Sequence, residues 1–224
     1  MSDAKAILVV GAGDATGGAI ARRFAREGYV ACVTRRRAER LSPLVAAIEQ
    51  EGGRARAFGS DARKEEEMVA LVDTIEREVG ELDVAVYNIG ANVRFPIRET
   101  TARVFFKVWE MACFGGFLMG RGTASIRGGS GYAAFASGKH ALRALAQSLA
   151  RELGPEGVHV AHVVIDGAID TAWIRENFPE RAALKQEDGI LSPDAIAENY
   201  WMLHCQPRSA WTHELDLRPW MERW

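Results

Sequence analysis

The sequence predicts an α/β protein built on a doubly wound parallel sheet with helices on both faces. Short apolar runs alternate with longer amphipathic stretches, which is the order expected of parallel strands joined by crossover helices. Glycines also fall where the helices are expected to end. At 224 residues the chain fits one domain, residues 1–224, better than two.

The predicted strands are apolar on both faces, as strands covered by helices should be. They lie at residues 6–10, 30–34, 56–58, 82–87 and 158–165, with a candidate last strand at 211–217. The predicted helices lie between them, at residues 17–27, 39–51, 64–79, 103–121 and 132–153. We find no internal repeat and no linker in this pattern.

Composition excludes several classes of partner. The chain has 28 Lys and Arg against 30 Asp and Glu, so its net charge of −2 offers no general attraction for nucleic acid or anionic lipid. No apolar run approaches the ~18 residues of a membrane span, and we expect no membrane association. Cys32, Cys113 and Cys205 are widely spaced without a CxxC pair. We therefore expect no disulfide framework, no metal site and a cytoplasmic location.

A glycine-rich turn follows the first predicted strand and opens the first predicted helix. Small residues there let the backbone approach a pyrophosphate, and the helix amino terminus offers unpaired N–H groups to it. This predicts a Rossmann-type nucleotide site, although a turn without a ligand remains the alternative. An acidic side chain in such a turn should cap the helix or face solvent. The candidate residues are Gly11, Gly13, Asp14, Ala15, Thr16 and Gly17.

The end of the second strand bears on which dinucleotide fits. Thr34 leads into Arg35, Arg36 and Arg37, and no carboxylate precedes Glu39. An acidic side chain here usually binds the ribose 2′-hydroxyl of NAD, whereas guanidinium groups suit the 2′-phosphate of NADP. The sequence therefore predicts NADP as cofactor, with Arg35 and Arg36 as phosphate ligands and NAD as the second choice. A solvated helix entrance is the alternative explanation of the arginines.

These motifs, in this order, resemble the short-chain dehydrogenase/reductase family over nearly the whole chain. Ser60-Asp61-Ala62 is similar to the family's Asp-Val after its third strand, and Tyr87-Asn88-Ile89-Gly90 resembles its Asn-Asn-Ala-Gly after the fourth. The segment from Asp166 to Thr171 is similar to its Pro-Gly-x-x-x-Thr. The resemblance implies further cofactor contacts from Asp61, Ala62, Asn88, Gly90, Lys139, Ile169 and Thr171.

The resemblance also implies an oxidoreductase acting on a small molecule that the sequence does not identify. It implies a substrate lid at residues 171–189 and assembly as a homodimer or homotetramer. Aromatic residues are concentrated in the last quarter of the chain, where the family forms its lid and its subunit contacts.

The catalytic positions depart from the family in an ordered way. The family transfers a proton from a tyrosine four residues before a lysine, but here Phe135 precedes Lys139, and a phenyl ring has no proton to give. The family also has a catalytic asparagine and a serine that holds the substrate oxygen. Here Ala112 stands at the position of that asparagine, and Gly122 stands at the position of that serine.

Three catalytic candidates remain, which are Lys139, Tyr132 and Ser125. Tyr132 would lie ~10.5 Å from Lys139 along a continuous helix, so it could donate a proton only to a shifted substrate. Two functions therefore stay open. One is an oxidoreductase with weak or atypical hydride transfer, and the other is a catalytically silent dinucleotide-binding or regulatory scaffold.

An inner strand is also missing from the pattern. Residues 122–131 hold one large apolar side chain, Ile126, where the family has the end of a helix and its fifth strand. There are two explanations. Either the chain is a truly shortened variant of the family, or the protein has a further stretch of residues here that the sequence passes over. We favour the second, because losing an inner strand leaves backbone groups unpaired in the core. Consecutive Cα atoms about 3.8 Å apart from Met119 to Ser125 would exclude it.

Overall fold

The computed structural model describes residues 4–90, 99–119 and 133–222. Its strands are β1 Lys5–Val10, β2 Val30–Arg35, β3 Arg54–Gly59, β4 Glu81–Tyr87, β5 His162–Ile165 and β6 Glu214–Leu217. Its helices are α1 Thr16–Arg26, α2 Ser42–Gln50, α3 Glu65–Glu78, α4 Ala102–Trp109, α5 Gly115–Met119, α6 Ala133–Leu153, α7 Ala172–Asn177, α8 Pro179–Ala183 and α9 Pro193–His204.

The central sheet has helices on both faces, which confirms the predicted fold class. Its strands run parallel in the order β3-β2-β1-β4. Ile7 and Val9 of β1 pack into a cluster with α1 and α9, whereas Leu8 and Val10 pack into a second cluster with α3. Because alternate residues of a strand point to opposite faces, this division explains why β1 is apolar throughout.

The predicted helix at 103–121 is broken by a π-helical turn at Glu110–Phe114, which separates α4 from α5. The Tyr87 hydroxyl donates to the Met111 carbonyl within that turn at 2.5 Å. A Cβ on Gly115 would lie 2.3 Å from the same hydroxyl, so only glycine lets α5 approach β4 this closely. Insertions of this kind often mark functional sites.

A groove divides the sheet where the sequence lacks an inner strand. Among the described residues β4 pairs with β1 alone, while β5 pairs with β6 in a separate parallel sheet. A groove of about 630 Å³ lies between them, lined by every residue of β4 and by residues 157–161. Residues 158–161 were predicted to be strand, but β5 begins only at His162. The Cα spacing from Met119 to Ser125 would decide between the two explanations of the missing strand, but residues 120–125 lie outside the described ranges.

His162 should make the stability of this fold sensitive to acid. Its side chain is fully buried, and burial lowers its pKa to about 4. In the unfolded chain the pKa is about 6.5, so between these values only the unfolded state takes up the proton. The contribution of His162 to stability is therefore complete above about pH 6.5 and falls by about 3 kcal/mol as the pH drops to about 4.

Urea unfolding across that pH range measures the effect. We expect His162→Gln to remove most of the slope, while His140→Gln, which changes an exposed histidine, leaves it in place. An unchanged slope in His162→Gln would assign the acid sensitivity to other groups.

Candidate cofactor site

A cleft of about 750 Å³ lies at the carboxyl ends of β1, β2, β3 and β4. The loops that follow parallel strands meet at this edge, which is where doubly wound sheets bind ligands. The amides of Gly11 and Ala12 donate to the Thr34 carbonyl at 3.0 and 3.1 Å, and the Asn88 amide donates to the Val10 carbonyl at 2.8 Å. These bonds hold the turn after β1 against its two neighbours.

The cleft brings together eight of the predicted cofactor residues, Gly11, Gly13, Arg35, Arg36, Asp61, Ala62, Asn88 and Gly90. Seven others do not line it, namely Asp14, Ala15, Thr16, Gly17, Lys139, Ile169 and Thr171. Sequence reasoning missed several lining residues, among them Arg37, Arg40, Arg63 and Met111. Arg37 continues the run of arginines already noted, but nothing local distinguishes Met111 or Arg63.

Close packing explains the glycines of the turn. A Cβ on Gly17 would lie 2.8 Å from Asn88 Nδ2 and 2.9 Å from the Gly11 carbonyl oxygen. Asn88 Nδ2 itself donates to that carbonyl at 3.2 Å. The turn is thus held between the start of α1 and the loop after β4, which leaves its outer side open to the cleft.

The amino terminus of α1 has no side-chain cap. Its N-cap residue is Ala15, and its first turn holds no acidic residue. Asp14 is exposed, so of the two roles expected for it the structure shows the solvent-facing one. The N–H groups at the start of α1 are therefore not neutralised by a neighbouring carboxylate, as an anion site requires.

Two buried threonine hydroxyls lack a hydrogen-bond partner in the described part of the chain, and one of them lines the cleft. Thr16 Oγ1 and Thr34 Oγ1 are buried and have no hydrogen-bond partner among the described residues. An unsatisfied buried hydroxyl costs about 1–3 kcal/mol, so such groups usually have a partner. Thr34 lines the cleft, where a bound polar group could supply that partner.

The charge of the cleft is strongly positive. Five arginines line it, Arg35, Arg36, Arg37, Arg40 and Arg63. Asp61 is the one carboxylate among the described residues that line the cleft, and hydrogen bonds from Arg63 hold its pKa at about 2. No described residue forms an ion pair with Arg35 or Arg36. The cleft therefore suits an anionic ligand.

Lys139 lies behind the loop that follows β4. Its Nζ donates to the Ile89 carbonyl at 3.3 Å and lies 5.8 Å from the centroid of the Phe135 ring. The side chain is buried, and burial lowers its pKa to about 8. Phe135 packs against Val108 and its neighbours, so its ring also contributes to the contact between α6 and α4.

Small residues bring α6 against the π-helical turn. Ala112 is fully buried, and its Cβ would lie 3.2 Å from a Cβ on Gly138. The absence of a side chain at Gly138 therefore lets α6 lie close to Ala112. Gly122, Ser125 and Tyr132, which also entered the predicted catalytic set, lie outside the described residues.

Ile169 and Thr171 are placed by the segment before α7. Ile169 forms an isolated parallel bridge with Leu191. The Thr171 hydroxyl accepts from the Ile174 amide at 3.1 Å and so caps α7. As an acceptor in that bond, the hydroxyl keeps its own proton available for a second partner.

The described ranges hold neither a metal-binding cluster nor a membrane-spanning helix. No three His, Cys, Asp or Glu side chains there are grouped so that they could hold a metal ion. Within the same ranges, every helix is too short or too polar to cross a lipid bilayer.

Residues 11–199 match the family described as Enoyl-(Acyl carrier protein) reductase. The short-chain reductase protein NovJ from Streptomyces niveus is 30% identical over 193 residues, covering 79% of this chain and 73% of NovJ. The chain belongs to the short-chain dehydrogenase/reductase family. The predicted resemblance is thereby confirmed, and with it membership of a family of NAD(P)-dependent oxidoreductases.

Solved structures of dehydrogenases agree with this assignment. A short-chain dehydrogenase from Rhodopseudomonas palustris is 43% identical, with a TM-score of 0.82 over 98% of this chain and 100% of that one. An alcohol dehydrogenase from the archaeon Thermococcus sibiricus, solved with 5-hydroxy-NADP, is 26% identical, with a TM-score of 0.81 over 98% of each chain.

Proposed function

We propose that this short-chain dehydrogenase/reductase binds NADP(H) in the cleft and transfers hydride between the nicotinamide and a carbonyl or alcohol, weakly or atypically. The arginines that line the cleft are the observation that carries the proposal. Their charge is balanced there by one carboxylate, which Arg63 already holds. The NADP derivative bound to the Thermococcus sibiricus relative supports the same cofactor.

The residues present suit each part of such a cofactor. In this proposal the glycine turn and the start of α1 hold the pyrophosphate, and Arg35 and Arg36 bind the 2′-phosphate. By resemblance, Asn88 and Gly90 contact the cofactor, Lys139 binds its ribose hydroxyls, and Ile169 and Thr171 face the carboxamide. The bound cofactor supplies the hydride, and the protein must orient it and supply a proton.

Proton supply is where this chain departs from its family. Phe135 cannot donate a proton, and Ala112 occupies the asparagine position in close contact with α6. Of the family's catalytic residues Lys139 remains, beside the loop that follows β4, and burial lowers its pKa to about 8. These features favour slow turnover. They also support the second candidate function, a protein that binds the dinucleotide without reducing a substrate.

Restoring the missing phenol separates the two functions. We expect Phe135→Tyr to raise the rate of ketone reduction by about 100-fold, because a positioned general acid contributes about 10²–10⁴ and Lys139 is already close enough to polarise it. Single-turnover oxidation of NADPH with a panel of ketones measures the effect. Phe135→Leu, which removes the ring without adding a hydroxyl, is the matched control. No gain in Phe135→Tyr would favour the silent scaffold.

The outer face of α4, α5 and α6 supports the proposed homodimer or homotetramer. Phe114 stacks between Trp109 and Phe117, and these rings line an apolar groove of about 490 Å³. Phe117 and Phe106 are exposed. Light scattering on the purified chain tests the assembly, and a monomer at all concentrations would contradict it.

Residues 171–189 are the proposed substrate lid. They contain α7 and α8, and Trp173 and Phe178 pack on each other at the surface. Asp170, immediately before the segment, forms ion pairs with Arg175 at 2.5 Å and Lys185 at 2.7 Å. The free thiols of Cys32, Cys113 and Cys205 support the proposed cytoplasmic location.

A further inference from the structure

Asp61 and Arg63 form a tight pair at the wall of the cleft. Asp61 Oδ1 accepts from Arg63 Nε at 2.9 Å and from the Arg63 amide at 3.2 Å, while Oδ2 accepts from Arg63 Nη2 at 2.5 Å. A carboxylate has about four acceptor positions, so most of those on Asp61 are used within the protein. Arg63 also holds the Asp61 pKa at about 2, which keeps the carboxylate ionised and paired.

Arg63 is fixed from a second direction. Its Nη1 donates to Glu110 Oε2 at 3.4 Å, at the start of the π-helical turn. The Asp61 amide donates to Glu67 Oε2 at 2.8 Å, which ties the loop to α3. Arg63 is mostly shielded from solvent, yet it lines the cleft beside Ser60 and Ala62. Its guanidinium is therefore a preorganised group at the ligand-facing surface.

We propose that Arg63, rather than the Asp61 carboxylate, holds the base of the dinucleotide, and that the 6-amino group of adenine contributes little to binding. The inference rests on the proposed function, since it concerns the same bound NADP(H). A carboxylate already bonded to a guanidinium is a weakened acceptor for an amino group. A fixed guanidinium plane stacks on any flat base, whatever groups the base carries at its edge. Asp61 then acts as a positioning residue for Arg63.

A cofactor analogue that lacks the 6-amino group tests the proposal by binding alone. We expect the wild-type protein to bind NADPH and its hypoxanthine analogue with affinities within about threefold of each other. Arg63→Ala should weaken both, and it should introduce a preference for NADPH on the order of tenfold, because the freed Asp61 can accept the amino group. A tenfold preference for NADPH in the wild type would overturn the proposal.

Nucleotide fragments separate base binding from phosphate binding. We expect Arg63→Ala to weaken adenosine and adenosine 2′,5′-bisphosphate by the same factor, about tenfold, because both carry the base and only the second carries phosphate. Arg36→Ala is the matched control and should weaken the bisphosphate alone. A loss in Arg63→Ala confined to the bisphosphate would make Arg63 a phosphate ligand and overturn the inference.

Asp61→Asn and Arg63→Lys complete the set. Asp61→Asn should weaken the binding of both fragments, because the amide no longer fixes the Arg63 guanidinium by charge. Arg63→Lys should bind as weakly as Arg63→Ala, because an ammonium group has no plane that could stack on the base. Thermal melting checks that each variant is folded, with Arg63→Gln as a second truncation. If the wild type binds neither NADPH nor the bisphosphate, the proposed function itself fails. If it binds both and Arg63→Ala changes nothing, only this inference fails.

Discussion

Replacing Arg35 and Arg36 together by alanine is expected to weaken NADPH binding by about 100-fold while changing NADH binding by no more than about threefold. Arg35 ends β2, and Arg36 follows it at the mouth of the cleft. Because no ion pair to a described residue engages either guanidinium, both charges are available to a 2′-phosphate. NADH lacks that phosphate and should not detect their loss.

The expected magnitude follows from exposure. A hydrogen bond to a charged group contributes about 1.5–3 kcal/mol, but Arg36 is exposed and its contribution is reduced by solvent and salt. We therefore take about 2.7 kcal/mol for the pair, which corresponds to 100-fold in affinity. Calorimetric titration at fixed ionic strength measures both cofactors.

Arg77→Ala is the control for a general loss of positive charge. Arg77 is an exposed arginine on α3 and does not line the cleft. Its removal should therefore leave the affinities for NADPH and NADH unchanged. The selectivity argument is wrong if the wild type binds NADPH and NADH equally, or if the double variant loses both together.

Gly18→Ala is expected to lower the free energy of unfolding by about 2 kcal/mol and to abolish cofactor binding. A Cβ at Gly18 would lie 2.1 Å from the Gly13 carbonyl oxygen, and a backbone atom cannot rotate out of its way. Overpacking of this kind costs about 1–3 kcal/mol or more, and alanine recovers about 1 kcal/mol through its higher helix propensity. The turn must therefore move away from α1, which removes the cradle for the pyrophosphate.

Gly13→Ala is the matched control for stability. A Cβ at Gly13 would meet nothing within 4 Å, so the same chemical change in the same turn should leave the urea midpoint near that of the wild type. If Gly18→Ala unfolds at the wild-type midpoint, the close packing of the turn on α1 does not contribute to stability as we describe.

Local patterns predicted much of the fold. The alternation of apolar runs and amphipathic stretches identified every strand of the central sheet, and the described ends of the five predicted helices lie within three residues of their predicted places, whereas α7, α8 and α9 were not predicted. These features depend on neighbours along the chain, where periodicity and glycine positions carry the information. The predicted helix at 103–121 was wrong in its middle, because contacts with Tyr87 from β4 favour the π-helical turn.

The candidate site divides in the same way. The glycine turn, the arginine run and the placement of Phe135 before Lys139 are visible in the sequence, because each lies within a few consecutive residues. The sequence also indicated Asp61, but it did not indicate that Arg63 would occupy the Asp61 carboxylate. That pairing depends on the shape of the loop after β3.

The sequence by itself determined the family, the order of the elements and the residue types available for cofactor and proton. The tertiary structure alone decided which of them meet. It brings Arg63, from the loop after β3, to the same cleft as the arginines that follow Thr34, places Ala112 against Gly138 and leaves a groove between β4 and β5. Each of these depends on distances between segments far apart in the chain, which packing sets and local propensity does not.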